Sequence, residues 1–263
     1  MNQTVYLSLV IPVYNEQETV PALLEHVAAA LGRMGRDFEV IVCDDGSSDA
    51  TPALLGEALR RYPFLRVLRM ARNGGQSAAF DAGFKASRGQ VIATIDGDLQ
   101  NDPEEVVRLL PMLDRCDMVT GWRQKRHDSR FRVLQTRIAN WIRNRISHET
   151  IRDSASSLKL YKRHCLEGIQ LYNGMHRFMP TLVKLRGYNV METPVSHSQR
   201  YAGTPKYGLR NRAWRTFIDL LAVRWMKKRY LRYQVSEITP PTCQEDRCTC
   251  VQHHAHGQVA IET

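Results

Sequence analysis

The chain has 263 residues, 43% apolar and 24% charged, with a mean hydropathy of −0.39, a profile that suits one large or two small folded units and excludes a disordered or fibrous chain. No window reaches the roughly 18–20 uncharged apolar residues of a spanning helix; the best stretch, Thr216 to Met226, carries Asp219 and Arg224. The net charge of +10 is unevenly placed, with 10 basic and 15 acidic side chains in residues 1–113, 26 and 8 in residues 114–233, and one and four in residues 234–263.

From Val5 to Thr120 short β-rich runs alternate with helical stretches, a rhythm that predicts a largely parallel sheet covered by helices. The runs are VYLSLVIPVY, DFEVIVCD, FLRVLRM, GQVIATID and CDMVTG, apolar enough to be buried on both faces. The intervening helices are expected near Glu16–Gly32, Asp49–Tyr62, Gln76–Ser87 and Pro103–Leu113. Asp102, Pro103, Glu104 and Glu105 form a strong start signal for the last. Residues 121–163 become Arg-rich, and β-like runs return at Leu158–Tyr161 and Tyr188–Val195. The stretch from about Tyr207 to Tyr233 reads as one basic helix, with Trp214, Phe217, Ile218, Leu221 and Trp225 on a single stripe. Beyond Ser236 a polar, Pro-containing segment without periodicity reads as a flexible tail. Its Cys243, Cys248, Cys250, His253, His254 and His256 match no standard zinc spacing. The N-terminus has no basic n-region or cleavage site, and six scattered cysteines suggest no disulfide framework, so a cytosolic chain is expected.

The strongest chemical signal is Asp96-Gly97-Asp98-Leu99-Gln100 after the apolar run GQVIATI. Hard oxygens at a strand's C-terminal end suit Mg²⁺ or Mn²⁺ that also takes phosphate oxygens; the competing role, capping the next helix, is already filled by Asp102. A second acidic strand end, Val42-Cys43-Asp44-Asp45-Gly46-Ser47-Ser48-Asp49, offers Asp44 and Asp45 to a nucleobase or ribose in the crevice, with Asp49 as helix cap. Pro12, Tyr14 and Glu16 end the first strand on the same edge. Arg72-Asn73-Gly74-Gly75-Gln76 is a turn before a helix, equally suited to lie under a phosphate or to serve as a plain connection. Neither GxGxxG after a strand nor GxxxxGK[ST] occurs.

The ordered motifs VIPVYNE, VCDDGSSD, RNGGQSAAFDAGFKASRG, IDGDLQNDPE and GWR resemble family 2 glycosyltransferases of the GT-A fold, within them the dolichyl-phosphate mannose synthase-like branch with its bacterial polyprenyl-phosphate sugar transferases. The resemblance runs from about Leu7 to Tyr233. It implies that Asp45 contacts the base of a nucleotide sugar, that Pro12, Tyr14 and Glu16 line the same pocket, and that Asp98 and Gln100 ligate the metal with Asp96 acting nearby or through water. It further implies that Arg123, Arg132 and Thr136 meet the acceptor phosphate, and that Arg200 and Lys206 lie on a basic loop closing over the donor diphosphate. Trp122 departs from the small residue common at its place.

The acceptor turns on a base. A hydroxyl needs a positioned carboxylate or His, whereas a phosphate monoester, with a second pKa of about 6, is already ionised near neutral pH and needs cations. The arginines at 123, 126, 130, 132 and 137 supply them, the QxxRW signature of hydroxyl-acceptor relatives is absent, and Asp153 reads as structural. The expected reaction is therefore inverting, metal-dependent transfer of a hexose from a UDP- or GDP-linked sugar to a polyprenyl phosphate. The rivals are transfer to a hydroxyl and, from another class, nucleic-acid binding by the basic segment. The organisation expected is a catalytic α/β domain over 1–206, a basic amphipathic helix over 207–235 and a tail over 236–263. The helix meets an anionic cytoplasmic membrane surface peripherally, or buries its apolar stripe as core with its cations solvated, or does both at once.

Overall fold

The computed structural model describes residues 5–123, 151–153, 156–196, 198 and 209–231, the last with side chains from 217 onward. The elements in chain order are β1 (Leu7–Val13), α1 (Val20–Gly32), β2 (Phe38–Asp44), α2 (Thr51–Arg61), β3 (Leu65–Arg69), α3 (Gln76–Ala86), β4 (Val91–Thr94), α4 (Pro103–Leu109), β5 (Met118–Arg123), β6 (Lys159–Lys162), α5 (Met179–Leu185), β7 (Val190–Val195) and α6 (Leu209–Arg229). The strands form one sheet in the order β3-β2-β1-β4-β6-β5-β7. The fold is α/β, a mostly parallel sheet flanked by helices, as in GT-A-like nucleotide-sugar transferases.

β1 reads LSLVIPV and is buried along its whole length, as a central strand covered on both faces must be. Its Pro12 tests that placement, because proline has no N–H for a ladder. Asp45 N–H donates to Val13 O on the β2 side, so Pro12 faces the β4 side. There the β1–β4 pairing has already ended at Val10–Thr94. The missing donor costs no bond.

β1 to β3 grow outward on one flank and β4 joins on the other, leaving the switch in strand order between β1 and β4. Open α/β sheets bind ligands at the strand C-termini beside such a switch, and the YNE and DGDLQ segments follow these two strands. One departure from the expected sheet matters for function: β6 runs antiparallel to both β4 and β5. Its first residue, Lys159, thereby lies opposite Thr94 and Thr120 at the C-terminal edge of the parallel strands.

Leu9, Ile11 and Val42 pack with Leu23, Leu24, Leu55 and Leu109 beneath α1, α2 and α4. Val10, Ile41 and Cys43 meet Ala79 and Phe80 of α3 on the other face, and Met118 and Tyr161 meet Met179, Leu182 and Val183 of α5. Each such aliphatic side chain contributes about 1.5–3 kcal/mol by leaving water. The cysteines 43, 116 and 165 are buried and unpaired, and burial pushes the Cys43 thiol up to about 12, the opposite of what a nucleophile requires.

Helix bounds depart from expectation where loops intervene. α1 begins at Val20, not Glu16, because residues 15–17 are held to the next strand's loop: Asn15 N–H donates to Ser47 Oγ (2.8 Å), Glu16 N–H to Thr51 Oγ1 (2.9 Å) and Gln17 N–H to Asp49 Oδ2 (3.3 Å). Asp102 caps α4 by accepting from Glu104 N–H at 2.9 Å. The helix then tightens into a 3-10 turn at Leu110–Asp114, where Pro111 supplies no N–H. The short α5 has no separate sequence signal. The tail and residue 232 onward lie outside the described residues.

Candidate active site

The C-terminal edge of the sheet gathers the acidic motifs through backbone contacts that the sequence spacing alone does not show. Asp45 is buried and its carboxylate accepts from Gly74 N–H (2.7 Å) and Gly75 N–H (2.9 Å), joining the DDGSSD loop to the RNGGQ turn. Asp44 corrects the expectation that both acids face the crevice. Its side chain is fully buried, Oδ1 accepts from Ser47 N–H at 2.9 Å, and Oδ2, without a hydrogen-bond partner, lies 3.7 Å from Arg69 Nε. It shapes the turn. Asp49 accepts from Thr51 N–H at 2.9 Å, but it is not the expected cap: α2 begins at Thr51, its N-cap is Ala50, and no side-chain cap bond forms there. Pro12 is buried, and Tyr14 and Glu16 are half-buried beside this loop.

The DGD segment is held tightly. A Cβ on Gly97 would stand 2.7 Å from Val13 Cγ1 and 3.1 Å from Pro12 O, so only glycine lets this loop rest on the end of β1. Leu99 takes a positive φ of 58°, a conformation that costs a branched side chain energy and that the loop imposes. The result buries Asp98, whose Oδ1 accepts from Gln100 N–H at 3.2 Å. Asp96 Oδ1 accepts from Gln76 Nε2 at 2.7 Å. Burial first, and then the Asp98 charge, push the Asp96 carboxyl up to about 6 against the opposing pull of Ser157, Lys159 and Arg123.

A carboxyl raised by burial and by the neighbouring Asp98 charge marks a place that gains from a divalent cation. The donor set of Asp98, Gln100 and Asp96 is all hard oxygen, which fits Mg²⁺ or Mn²⁺. Among the described residues no group of three or more His, Cys, Asp or Glu is clustered for a metal.

Arg123 stands on the same edge and is forked onto Asp153, Nε to Oδ2 at 2.7 Å and Nη2 to Oδ1 at 3.1 Å. The guanidinium has five donors, of which this fork uses two. Asp153 is thus a partner for a cation, in line with the structural role read for it. Trp122 is half-buried and lies under the Arg152 guanidinium, 5.3 Å from its ring centre. Arg132, Thr136, Arg200 and Lys206, together with the arginines at 126, 130 and 137, lie outside the described residues.

Four participants escaped the sequence reading. Lys159 is buried, donates from Nζ to Ser156 O, and is pushed down to about 8 by burial, with Asp96 and Asp153 opposing. Its signal was a lysine inside an otherwise apolar β-run, legible only once β6 is known to run backwards. Ser157 accepts from Asn101 Nδ2 at 2.7 Å through Oγ, and its carbonyl accepts from Thr94 Oγ1 at 2.6 Å. Gln76 holds Asp96. Ser77 Oγ accepts from Gly174 N–H at 3.0 Å and shares a hydrogen bond with His176 Nδ1 at 2.6 Å. A cavity of about 10 Å³, room for about one water, lies between Thr94, Lys159, Tyr161 and His176.

The pattern of Glycosyl transferase family 2 matches residues 8–169 of this chain, the span that carries every one of these edge motifs. The chain belongs to that family. A dodecaprenyl-phosphate galacturonate synthase of Rhizobium johnstonii is 38% identical over 238 residues, covering 88% of this chain and 69% of the relative. An undecaprenyl-phosphate 4-deoxy-4-formamido-L-arabinose transferase of Edwardsiella ictaluri is 38% identical over 207 residues, covering 78% of this chain. The chain spans 63% of the length of that second relative. Among solved structures, glucosyl-3-phosphoglycerate synthase of Mycobacterium tuberculosis, crystallised with Mn²⁺, UDP and phosphoglyceric acid, superposes with a TM-score of 0.66 at 18% identity, covering 84% of this chain and 78% of that one. A mannosyltransferase of Pyrobaculum calidifontis, in complex with GDP-Man and Mn²⁺, gives 0.58 at 18% identity over 84% of this chain and 63% of that one. At that identity the likeness speaks for the fold. This family 2 glycosyltransferase therefore keeps its carboxylates, its buried lysine and an arginine–aspartate fork on one sheet edge.

Proposed function

We propose that this glycosyltransferase moves a hexose, with inversion, from a UDP- or GDP-linked sugar to a polyprenyl phosphate. The observation that carries the reading is the Arg123–Asp153 fork beside the DGD pair. Both oxygens of Asp153, the nearest substitute for the base of hydroxyl-acceptor relatives, are engaged by an arginine, an arrangement that orients a cation. An acceptor that arrives ionised needs only that. The polyprenyl-phosphate names of the curated relatives point the same way.

Asp98 and Gln100, with Asp96 beside them, would hold Mg²⁺ or Mn²⁺. The cation, when bound, offsets the negative charge that develops on the departing diphosphate. The chain's own residues do the rest. Asp45 and the loop of Pro12, Tyr14 and Glu16 border the space for the nucleoside. Gln76 orients Asp96, and Lys159 supplies buried positive charge behind the carboxylate pair. Arg123, held in plane by Asp153, presents its guanidinium to the acceptor phosphate. Arg132 and Thr136 join it there, and Arg200 and Lys206 close on the diphosphate, as the family resemblance implies.

The test incubates the full chain with a panel of UDP- and GDP-sugars, Mg²⁺ or Mn²⁺, and undecaprenyl phosphate, and follows labelled lipid. Asp98→Ala should abolish metal-dependent transfer, and EDTA should do the same to the parent enzyme. Turnover that persists in EDTA would sink the metal assignment. Label appearing only on hydroxyl acceptors would move the enzyme to the rival reading.

A further inference from the structure

The first turn of α3 carries a side chain that reaches the catalytic edge, yet this helix has no side-chain cap. Its N-cap is Gly75, at φ 87° and with nothing to satisfy the open N–H groups. Gln76, the first helical residue, must still hold its amide on Asp96. Two outside contacts fix the turn. On the rim, Asp45 accepts from Gly74 and Gly75 N–H. On the inner side the buried Ser77 is held by a segment 99 residues away. Its Oγ accepts from Gly174 N–H at 3.0 Å and shares a 2.6 Å hydrogen bond with His176 Nδ1. The His176 ring also lies 6.1 Å, centre to centre, from Phe80 one turn along α3. That segment is the 3-10 turn Met175–Phe178, seated in the core by buried Met175 and Phe178.

We propose that Ser77 and His176 are positioning residues for the donor end of the site: their hydrogen bond fixes the start of α3, and with it the Gln76 amide that orients Asp96. Ala78 and Ala79 N–H both close onto Gly75 O, at 2.9 and 3.2 Å, so freeing Ser77 frees the turn that carries Gln76. A hydroxyl held by a backbone N–H and a ring nitrogen together has its direction set at two points. Partners that orient a metal ligand from behind tune its grip on the ion, and Gln76 is such a partner for Asp96. The turn also lies between Asp45, on the nucleoside side, and Asp96, on the metal side, so its seat sets their spacing. The consequence for catalysis rests on the metal and diphosphate reading proposed above; the fixing of α3 does not.

The test uses the full chain, Mn²⁺ with UDP or GDP as the probe, calorimetry for binding, and amide hydrogen exchange on the ligand-free protein. Gln76→Ala should weaken binding of the Mn²⁺–nucleotide pair about tenfold, and Ser77→Ala or His176→Phe about fivefold. His176→Phe keeps a ring beside Phe80 and loses the polar atom. His176→Asn, whose amide can donate or accept at similar reach, should stay within about twofold of the parent. Adding His176→Phe to Gln76→Ala should cost less than about a further twofold, because the two act in series. In transfer assays the KM for the nucleotide sugar should rise while that for the lipid phosphate holds. Without ligand, the Ala78 and Ala79 amides should exchange about fivefold faster in Ser77→Ala and His176→Phe, and at the parent's rate in His176→Asn. Multiplying losses in the double variant, unchanged exchange at the start of α3, or a loss that His176→Asn does not restore overturns the inference. Binding that needs Asp98 but ignores Ser77 and His176 removes this inference alone. A parent that binds no Mn²⁺–nucleotide, while its α3 amides respond as expected, removes the donor-site reading and leaves the fixing of α3 standing.

Discussion

Asp153 shows how one side chain's meaning depends on its partner. From sequence it could open a turn or take a proton; its fork with Arg123 makes it a positioning residue for a guanidinium. The two roles separate in a double-mutant cycle. Arg123→Gln should lower kcat/KM for the lipid phosphate. Adding Asp153→Asn should cost little more, because its effect runs through Arg123. A true base would remove about a further hundredfold from kcat and flatten the acid limb of its pH profile. The acidic loops carry a similar lesson. Asp44 and Asp45 are adjacent and chemically equal in sequence, yet one is sealed beneath the loop and the other ties two loops at the rim. Strand alternation sends neighbours to opposite sides, and which side is the crevice is settled by the pairing of β1 with both β2 and β4.

Among the elements, the start of β1 and the end of α3 are joined by a buried carboxylate. Glu39 on β2 accepts from Ser8 Oγ (2.7 Å), Arg66 Nη1 (2.7 Å), Arg88 N–H (2.6 Å) and Arg88 Nε (3.0 Å). Burial pushes its carboxyl up, but these hydrogen bonds together outweigh burial and hold it below its ordinary 4.5. A group lowered on folding stabilises fully above its unfolded value, and that contribution is lost as pH falls through the folded one. Glu39→Gln should therefore cost about 2–4 kcal/mol at neutral pH by urea unfolding. The gap to the parent should hold steady down to its ordinary 4.5 and shrink in more acid solution. A gap that does not narrow in acid would mean that the charge of Glu39 is not what the network uses. β6 belongs to this scale too. Its four residues read as a plain strand, and its reversed direction alone carries Lys159 to the carboxylates.

For the molecule as a whole, among the described residues α6 rests on the body through Asp219, Leu220, Val223 and Met226. Gly174 has φ 85° and lies against Asp219, leaving no room for a Cβ. Gly174→Ala should therefore loosen the helix from the body, and trypsin should cut at Lys227–Lys228 about tenfold faster. The main thermal transition should move by only about 2–4 °C, since the sheet does not depend on that contact. Equal cleavage rates in the two proteins would show that α6 is held elsewhere. The charge asymmetry also acts at this scale, with the acidic half building the strand ends at the crevice and the basic half supplying Arg123, Lys159 and α6.

Local chemistry, written along the chain, already defines much of this enzyme. Continuous apolar runs mark the buried strands, Asp102-Pro103 marks the start of α4, and the spacing of the DDGSSD, DGDLQ and GWR segments marks the family, because these are properties of neighbours. Contacts between distant segments escape such a reading. The reversal of β6, the seat of Lys159, the Gln76–Asp96 and Arg123–Asp153 bonds, and the choice of which α6 face to bury all depend on strands and helices far apart in sequence meeting in one register. The outward turn of Phe217, Ile218, Leu221 and Trp225 is the clearest case: helical periodicity shows that they share a face, but only the packing of Leu220 and Val223 against Phe178 determines which way that face looks.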